Sequence, residues 1–424
     1  MRLRGYHVGH QPIVHKPNVR VADNPGVVSC GRSETSISVP EVVSKMTWIL
    51  PPMVTKRFVE RPYIERKAGA CSAAAPNCLL FCMAVRPNRF HHHKVERRSM
   101  VPKGLKKIVS IAVPLLLAAS TAMAQEPSVP AGRLHHSGVY DENRKEFVIY
   151  GGYTWDQSAQ KVQSASDVWG WNGSRWELIC DSALHKYVAA MAFDSRRQRT
   201  LIFGGADDSG VIDGKLRSLE GGTWRVVKDV PTLERADASM AYDSKRDRLV
   251  LFGGRNEEVL FADTWEFEGN DWKPTFMAGP SLRSAGAVVY DSARGVTILY
   301  GGFRPLAALG DTWEWNGEQW RLVSESGPGP RSWPGLAYDS RRKRTILFGG
   351  EDEKGQFYSD TWAWDGKVWT RIATEGPPAR IQFVMGYDSL RDRIVLFGGV
   401  NDKPQRILND LWEFDGTRWT QKQP

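Results

Sequence analysis

Residues 311–320 read DTWEWNGEQW, and close variants return as DTWAWDGKVW at 360–369 and DLWEFDGTRW at 410–419. Trp313 and Trp315 alternate with polar neighbours, Asn316-Gly317 offers the two left-handed residues of a type I′ turn, and Trp320 begins the return. The stretch spells a β-hairpin. Asn172-Gly173, Asp365-Gly366 and Asp415-Gly416 repeat the turn signal, so one hairpin is written several times along the chain.

Upstream of each hairpin an apolar strand ends in two glycines: FVIYGG at Gly152, TLIFGG at Gly205, LVLFGG at Gly254, TILYGG at Gly302, TILFGG at Gly350 and IVLFGG at Gly399. These marks stand 53, 49, 48, 48 and 49 residues apart. Before each comes another strand that closes on an aromatic and Asp, as in SMAYDS (239–244), AVVYDS (287–292) and GLAYDS (335–340). Four short strands in a period of about fifty residues is the spacing of kelch-type propeller blades. The Gly-Gly pair after an apolar strand and the Trp on the last strand resemble the kelch-repeat family of the galactose oxidase central-domain superfamily. The resemblance covers residues 131–424 and implies an all-β, six-bladed kelch-type β-propeller with four antiparallel strands per blade. The second copy, GKLRSLEGGTW at 214–224, departs from the pattern by lacking Asp-x-Trp.

Blades that converge on an axis need small residues on the innermost strand, and VAAMAF, DASMAY and SAGAVVY supply them. Farther out the gap widens and needs bulk. Trp169, Trp265, Trp313, Trp362 and Trp412, with Trp176, Trp224, Trp272, Trp320, Trp369 and Trp419 on the last strand, are expected to fill it. The Asp before the first Trp of each hairpin is expected to cap a turn or the start of a strand, not to act as a catalytic acid.

Charge divides the chain. Residues 1–99 hold sixteen Lys or Arg against six Asp or Glu, whereas the whole chain is only +9, so the basic excess lies ahead of the repeats and no nucleic-acid partner is implied for them. Residues 1–99 lack helix or strand periodicity and are expected to be a disordered or non-native extension. From Met100 the sequence MVPKGLKKIVSIAVPLLLAASTAMAQEP has the lysines, apolar run and Ala122-Met123-Ala124 site of a secretory signal peptide, which makes 100–124 a cleaved leader and Met100 the expected start. Its apolar part is short for a membrane span of about 20 residues. The expectation is an exported protein, periplasmic or secreted, with Gln125 as its mature N-terminus, no transmembrane span and a monomeric state.

Cys180 is the one cysteine beyond the leader, and His135, His136 and His185 are the histidines left there. A His and Cys metal site is poorly supplied, so no metal and no cofactor is expected.

Two faces are available. On one, Arg133, Lys186, Arg235, Arg283, Arg331 and Arg380 each stand seven residues before the inner-strand aromatic. In kelch substrate adaptors, arginines at this place capture acidic peptides, so the resemblance makes Arg235, Arg283, Arg331 and Arg380 candidate anion contacts, with burial against loop carbonyls or carboxylates as the structural alternative. Two positions further on the copies disagree: His135, Val188, Asp237, Ala285, Trp333 and Gln382. There a ligand-specific pocket can be written, with Trp333 stacking on a sugar and Asp237 orienting hydroxyls; His135, Asp237, Trp333 and Gln382 are therefore candidate ligand contacts. The opposite face carries DSRRQR-like turns and reads as a solvated rim.

The leading functional expectation is an exported module that binds a protein or glycan, anionic ones included, through the face bearing the basic residues. The resemblance also implies two enzymatic alternatives: a sugar-handling enzyme like the sialic-acid mutarotases, and a copper radical oxidase like galactose oxidase. The oxidase needs a Cys cross-linked to Tyr at the metal, and Cys180 falls on an outer strand.

Overall fold

The computed structural model describes residues 128–156, 159–402 and 406–423; the expectations on the extension and the signal peptide lie outside them. The described chain is all-β, and its one helical element is a 3-10 turn at Pro231–Leu233. Among the described residues no helix is long and apolar enough to cross a membrane.

Six sheets have four antiparallel strands each, paired in sequence order. The first consists of Ser137–Asp141, Glu146–Tyr150, Asp167–Trp171 and Trp176–Asp181. The others begin at Ala190–Asp194, Ser239–Asp243, Ala287–Asp291, Gly335–Asp339 and Val384–Asp388. In the second sheet Lys215–Glu220 forms a full third strand although its Asp-x-Trp is missing.

Burial explains the composition of each strand. The second strand is covered on both sides, so it is a continuous apolar run rather than an alternating one: Phe147, Val148, Ile149 and Tyr150 are all fully buried. Outward, the last-strand tryptophans join neighbouring sheets. Each ring packs against the aromatic that precedes Gly-Gly in the sheet before it: Trp224 on Tyr150 (4.8 Å between centroids), Trp272 on Phe203 (5.1 Å), Trp320 on Phe252 (5.3 Å), Trp369 on Tyr300 (5.2 Å) and Trp419 on Phe348 (5.4 Å). Trp176 of the first sheet meets Phe397 of the sixth at 5.0 Å. Several of these indoles also donate across the same gap, as Trp320 Nε1 does to Thr264 Oγ1 at 2.8 Å and Trp369 Nε1 to Thr312 Oγ1 at 2.9 Å. The repeated tryptophan is thus an adhesive between sheets, as its spacing suggested.

The hairpins are present, but the turn is not type I′. Trp315 pairs with Trp320, which leaves four residues in the loop, and of Asn316 and Gly317 only Gly317 has positive φ (98°). Asn316 Oδ1 instead accepts the N–H groups of Glu318 and Gln319, each at 2.9 Å, so the Asn side chain replaces one turn of backbone. A Cβ at 317 would also stand 2.6 Å from the guanidinium of Arg246 in the preceding sheet, which would have to shift. The two-residue turn with both residues left-handed occurs at Gly221-Gly222, in the divergent second sheet.

Candidate functional site

The recurring basic residues lie inside the fold. Arg133, Arg235, Arg283, Arg331 and Arg380 are each at most 2% exposed, and Lys186 is 3% exposed. Arg283 shows what holds them: Nη1 donates to Gly301 O (2.9 Å) and Asp311 Oδ1 (2.6 Å), Nη2 to Asp311 Oδ2 (2.8 Å) and Nε to Ser281 O (3.0 Å). Arg133 grips Asp167, Arg235 grips Asp263 and Arg380 grips Asp410 at two points likewise, whereas Arg331 meets Asp360 through Nη1 alone and turns Nη2 to Pro328 O; each carboxylate is the Asp of Asp-x-Trp. The following indole binds the same carboxylate; Trp313 Nε1 donates to Asp311 Oδ2 at 2.7 Å. Burial alone would raise the pKa of Asp167, Asp263 and Asp311, but the paired guanidinium and the indole N–H outweigh it and hold all three below the ordinary carboxylate value.

The assignment of Arg235, Arg283, Arg331 and Arg380 to an anionic ligand is corrected accordingly. Their donors tie the loop before each first strand to the Gly-Gly carbonyl and the third strand of the same sheet, and their burial leaves no guanidinium facing solvent. The Asp is more than a cap: it is the acceptor that makes burying the arginine tolerable.

The second sheet shows the same requirement met differently. Lys186 replaces the arginine and reaches Gly205 O (3.3 Å) and Asp213 (3.1 Å). Arg217, which pairs with Ile202 where Trp169 pairs with Ile149, closes a two-point contact on Asp213 at 3.1 and 2.5 Å. The fork has moved from the loop to the third strand. A lysine cannot make the bidentate contact, and the exchange of Trp for Arg restores it.

The positions at which the copies disagree share a backbone state. His135, Val188, Asp237, Ala285, Trp333 and Gln382 all have φ between 49° and 57°. Their peptides are joined from copy to copy: His135 N donates to Gln382 O (3.2 Å), Val188 N to His135 O (2.9 Å), Asp237 N to Val188 O (3.0 Å), Ala285 N to Asp237 O (3.1 Å) and Trp333 N to Ala285 O (2.8 Å). Non-glycine residues in this region cost about 1 kcal/mol or more each, and the hydrogen bonds offset that cost.

The side chains of this set are only partly brought together. His135 and Trp333 meet edge to face at 6.3 Å, and His135 and Tyr153 do so at 6.5 Å. Burial, modified by Asp237 and Arg255, lowers the His135 pKa to about 4, so the ring is neutral at physiological pH. Asp237 does not present a free carboxylate, because Arg255 Nε binds it at 2.8 Å. Gln382 is buried. His135, Asp237 and Trp333 remain half-buried around these contacts.

The open space is at the other end of the same strands. A cavity of about 300 Å³ is lined by all six first strands, with small residues such as Gly138, Ala192, Ala241, Ala337 and Gly386 against it, as the sequence suggested. Its lining runs through the aromatics Tyr140, Phe193, Tyr242, Tyr290, Tyr338 and Tyr387 to Ser195, Ser244, Ser292, Ser340 and Ser389, with Glu142 in the first sheet's equivalent place. Sequence reasoning missed these residues, although the repeated aromatic-Asp-Ser signalled them. The aspartates between them are buried and turn away: Asp243 Oδ1 accepts the N–H groups of Lys245 and Arg246, both at 3.0 Å, and its Oδ2 pairs with Arg246 Nε at 2.7 Å.

The basic turns on this face are largely engaged. Arg197 pairs with Asp247 and Arg342 with Asp392, each at 2.7 Å and each between neighbouring sheets, and Arg391 reaches Glu413 at 2.5 Å. Cys180 lies half-buried on the last strand of the first sheet, its thiol pKa pushed up by burial. Among the described residues no group of three His, Cys, Asp or Glu side chains is placed to hold a metal ion. No family model matches this chain, and no curated protein matches it.

Proposed function

We propose that residues 131–424 form a six-bladed kelch-type propeller that is exported and serves as a binding module for a glycan or protein. The likeness of the six sheets, the tryptophan contact that links each to the next, and the contacts of the first with the sixth through Trp176 and Phe397 and through Trp171 and Glu413 support the ring. In that ring the buried arginines fasten each blade internally and the left-handed residues staple the blades around one end of the axis.

The observation that carries the binding reading is the cavity at the opposite axial end, which is lined by a ring of serines, while the recurring basic residues of the other end are buried in ion pairs. The ligand face is therefore the serine end, not the end bearing the six basic residues. Screening the full chain on glycan and peptide arrays should give a reproducible ligand class, and the absence of any on both arrays would refute a binding role. The mature N-terminus of protein made in its own host should be Gln125; an exported form beginning elsewhere would remove the proposed cleavage site.

A further inference from the structure

The geometry points to the central cavity as the site of a neutral, polyhydroxylated ligand the size of a single sugar, admitted past the serine ring. This rests on the reading of the chain as a binding propeller. Ser195, Ser244, Ser292, Ser340 and Ser389 line the cavity where it meets solvent, and no hydrogen bond joins their hydroxyls to a described residue. They are not needed by the turns they follow, because the buried aspartates already cap those turns, as Asp339 does for the Arg342 N–H at 2.9 Å. Each hydroxyl offers one donor and two acceptor lone pairs, so the ring matches a ligand whose groups also donate and accept.

Charge and depth narrow the class. Glu142 is the one ionisable acid or base against the cavity apart from the tyrosines, which excludes an anion and leaves nothing to balance a multiply charged cation. Tyr242 and Tyr387 turn their hydroxyls to Asp247 (2.8 Å) and Asp392 (2.9 Å), which leaves ring surface for the space itself. Deeper, Met191, Met240 and Met385 give the apolar wall that the C–H face of a pyranose takes. The lining stops at the second residue of each first strand; beyond it Ser137 Oγ and Ser239 Oγ each donate at 2.7 Å to the neighbouring copy's chain, at Ala189 O and Gly286 O. A volume of about 300 Å³ lies at the lower end of the usual range for small-molecule sites, so one sugar unit fits and a chain does not enter.

The test is saturation-transfer NMR and calorimetry on the full chain with D-glucose, D-galactose, D-mannose and myo-inositol, against D-glucuronate and D-glucosamine. At least one neutral probe should bind. Ser244→Ala and Ser340→Ala should each weaken it about two- to tenfold, the loss of one neutral hydrogen bond. Ser244→Trp with Ser340→Trp should abolish binding by filling the mouth, while Leu306→Ala, on a loop that follows Gly-Gly, should leave it unchanged. If the tryptophan variants do not melt like the parent, the alanine pair decides. Failure of every neutral probe, or unchanged affinity in the folded serine variants, overturns the cavity site, and a ligand found on the arrays would then leave the binding module standing. Glucuronate or glucosamine binding tenfold more tightly than the neutral probes overturns the assignment of ligand charge.

Discussion

Replacing Arg283 with Met tests whether the recurring arginines are structural. Met keeps the apolar stem and removes the guanidinium, which is 1% exposed and binds Asp311 at two points, Gly301 O and Ser281. Asp311 would retain only the Trp313 N–H as a side-chain partner, and the Gly301 carbonyl would lose a donor in a dry place. Removing one member of a buried pair costs about 3–5 kcal/mol, and because the Asp311 side chain is 20% exposed the lower half of that range is expected. Asp311→Asn removes the charge but keeps an acceptor for the indole, so the double variant should lose less than the sum of the singles, with a coupling of about 1.5 kcal/mol or more. Urea unfolding followed by tryptophan fluorescence measures it, with the slope against denaturant checked for constancy. A cost under about 1 kcal/mol, or strict additivity with Asp311→Asn, would show that the pair does not carry the fold and would reopen a ligand role for these arginines.

Acid should act on the same pairs. The folded-state pKa values of Asp167, Asp213, Asp263 and Asp311 are depressed, so their contribution is complete above the unfolded value of about 3.9 and is lost as pH falls through the folded values; the urea midpoint should drop steeply below about pH 4. Glu351 has the opposite sign: burial, with Asp352 and Asp402 nearby, raises it to about 7, so it penalises the fold as pH rises from about 4.5 to 7. Glu351→Gln should therefore stabilise the protein by on the order of 1–3 kcal/mol at pH 8 and hardly at pH 4.5, and equal effects at both would contradict the shift. Trp320→Ala should cost about 3–5 kcal/mol in thermal or urea unfolding, since it empties the gap beside Phe252 and leaves Thr264 Oγ1 without its donor; a loss near zero would mean that the sheets are joined elsewhere.

The all-β class, the period and the order of strands were legible because each depends on local chemistry: apolar runs where both faces are buried, Gly where φ is positive, an amide or carboxylate beside it. The hairpin turn was misread in its details for the same reason. Asn-Gly permits a type I′ turn, but Trp315 pairs with Trp320 and fixes a four-residue loop, so the loop length, a property of the pairing, decided the geometry. The Arg–Asp clasp was written in the sequence as two separate periodic marks, Arg283 and Asp311 being 28 residues apart. Nothing local joins them. The second copy was the clue, because Lys186 in place of Arg and Arg217 in place of Trp change together.

The variable positions of the repeats have a backbone explanation that their letters do not show. Variation among otherwise similar copies suggests a position written for a ligand, but His135, Val188, Asp237, Ala285 and Trp333 all perform one common task with their peptide groups: each adopts a left-handed φ and donates its N–H to another copy. A task done by the backbone places little demand on the side chain, and the letters drift. The serines show the converse. Ser195, Ser244, Ser292, Ser340 and Ser389 recur although their turns are already capped by the preceding aspartates, and no hydrogen bond joins their hydroxyls to a described residue. In a repeat protein, then, constancy without a structural partner is the better pointer to a ligand than variation among copies, and here that pointer leads to the serine end of the cavity.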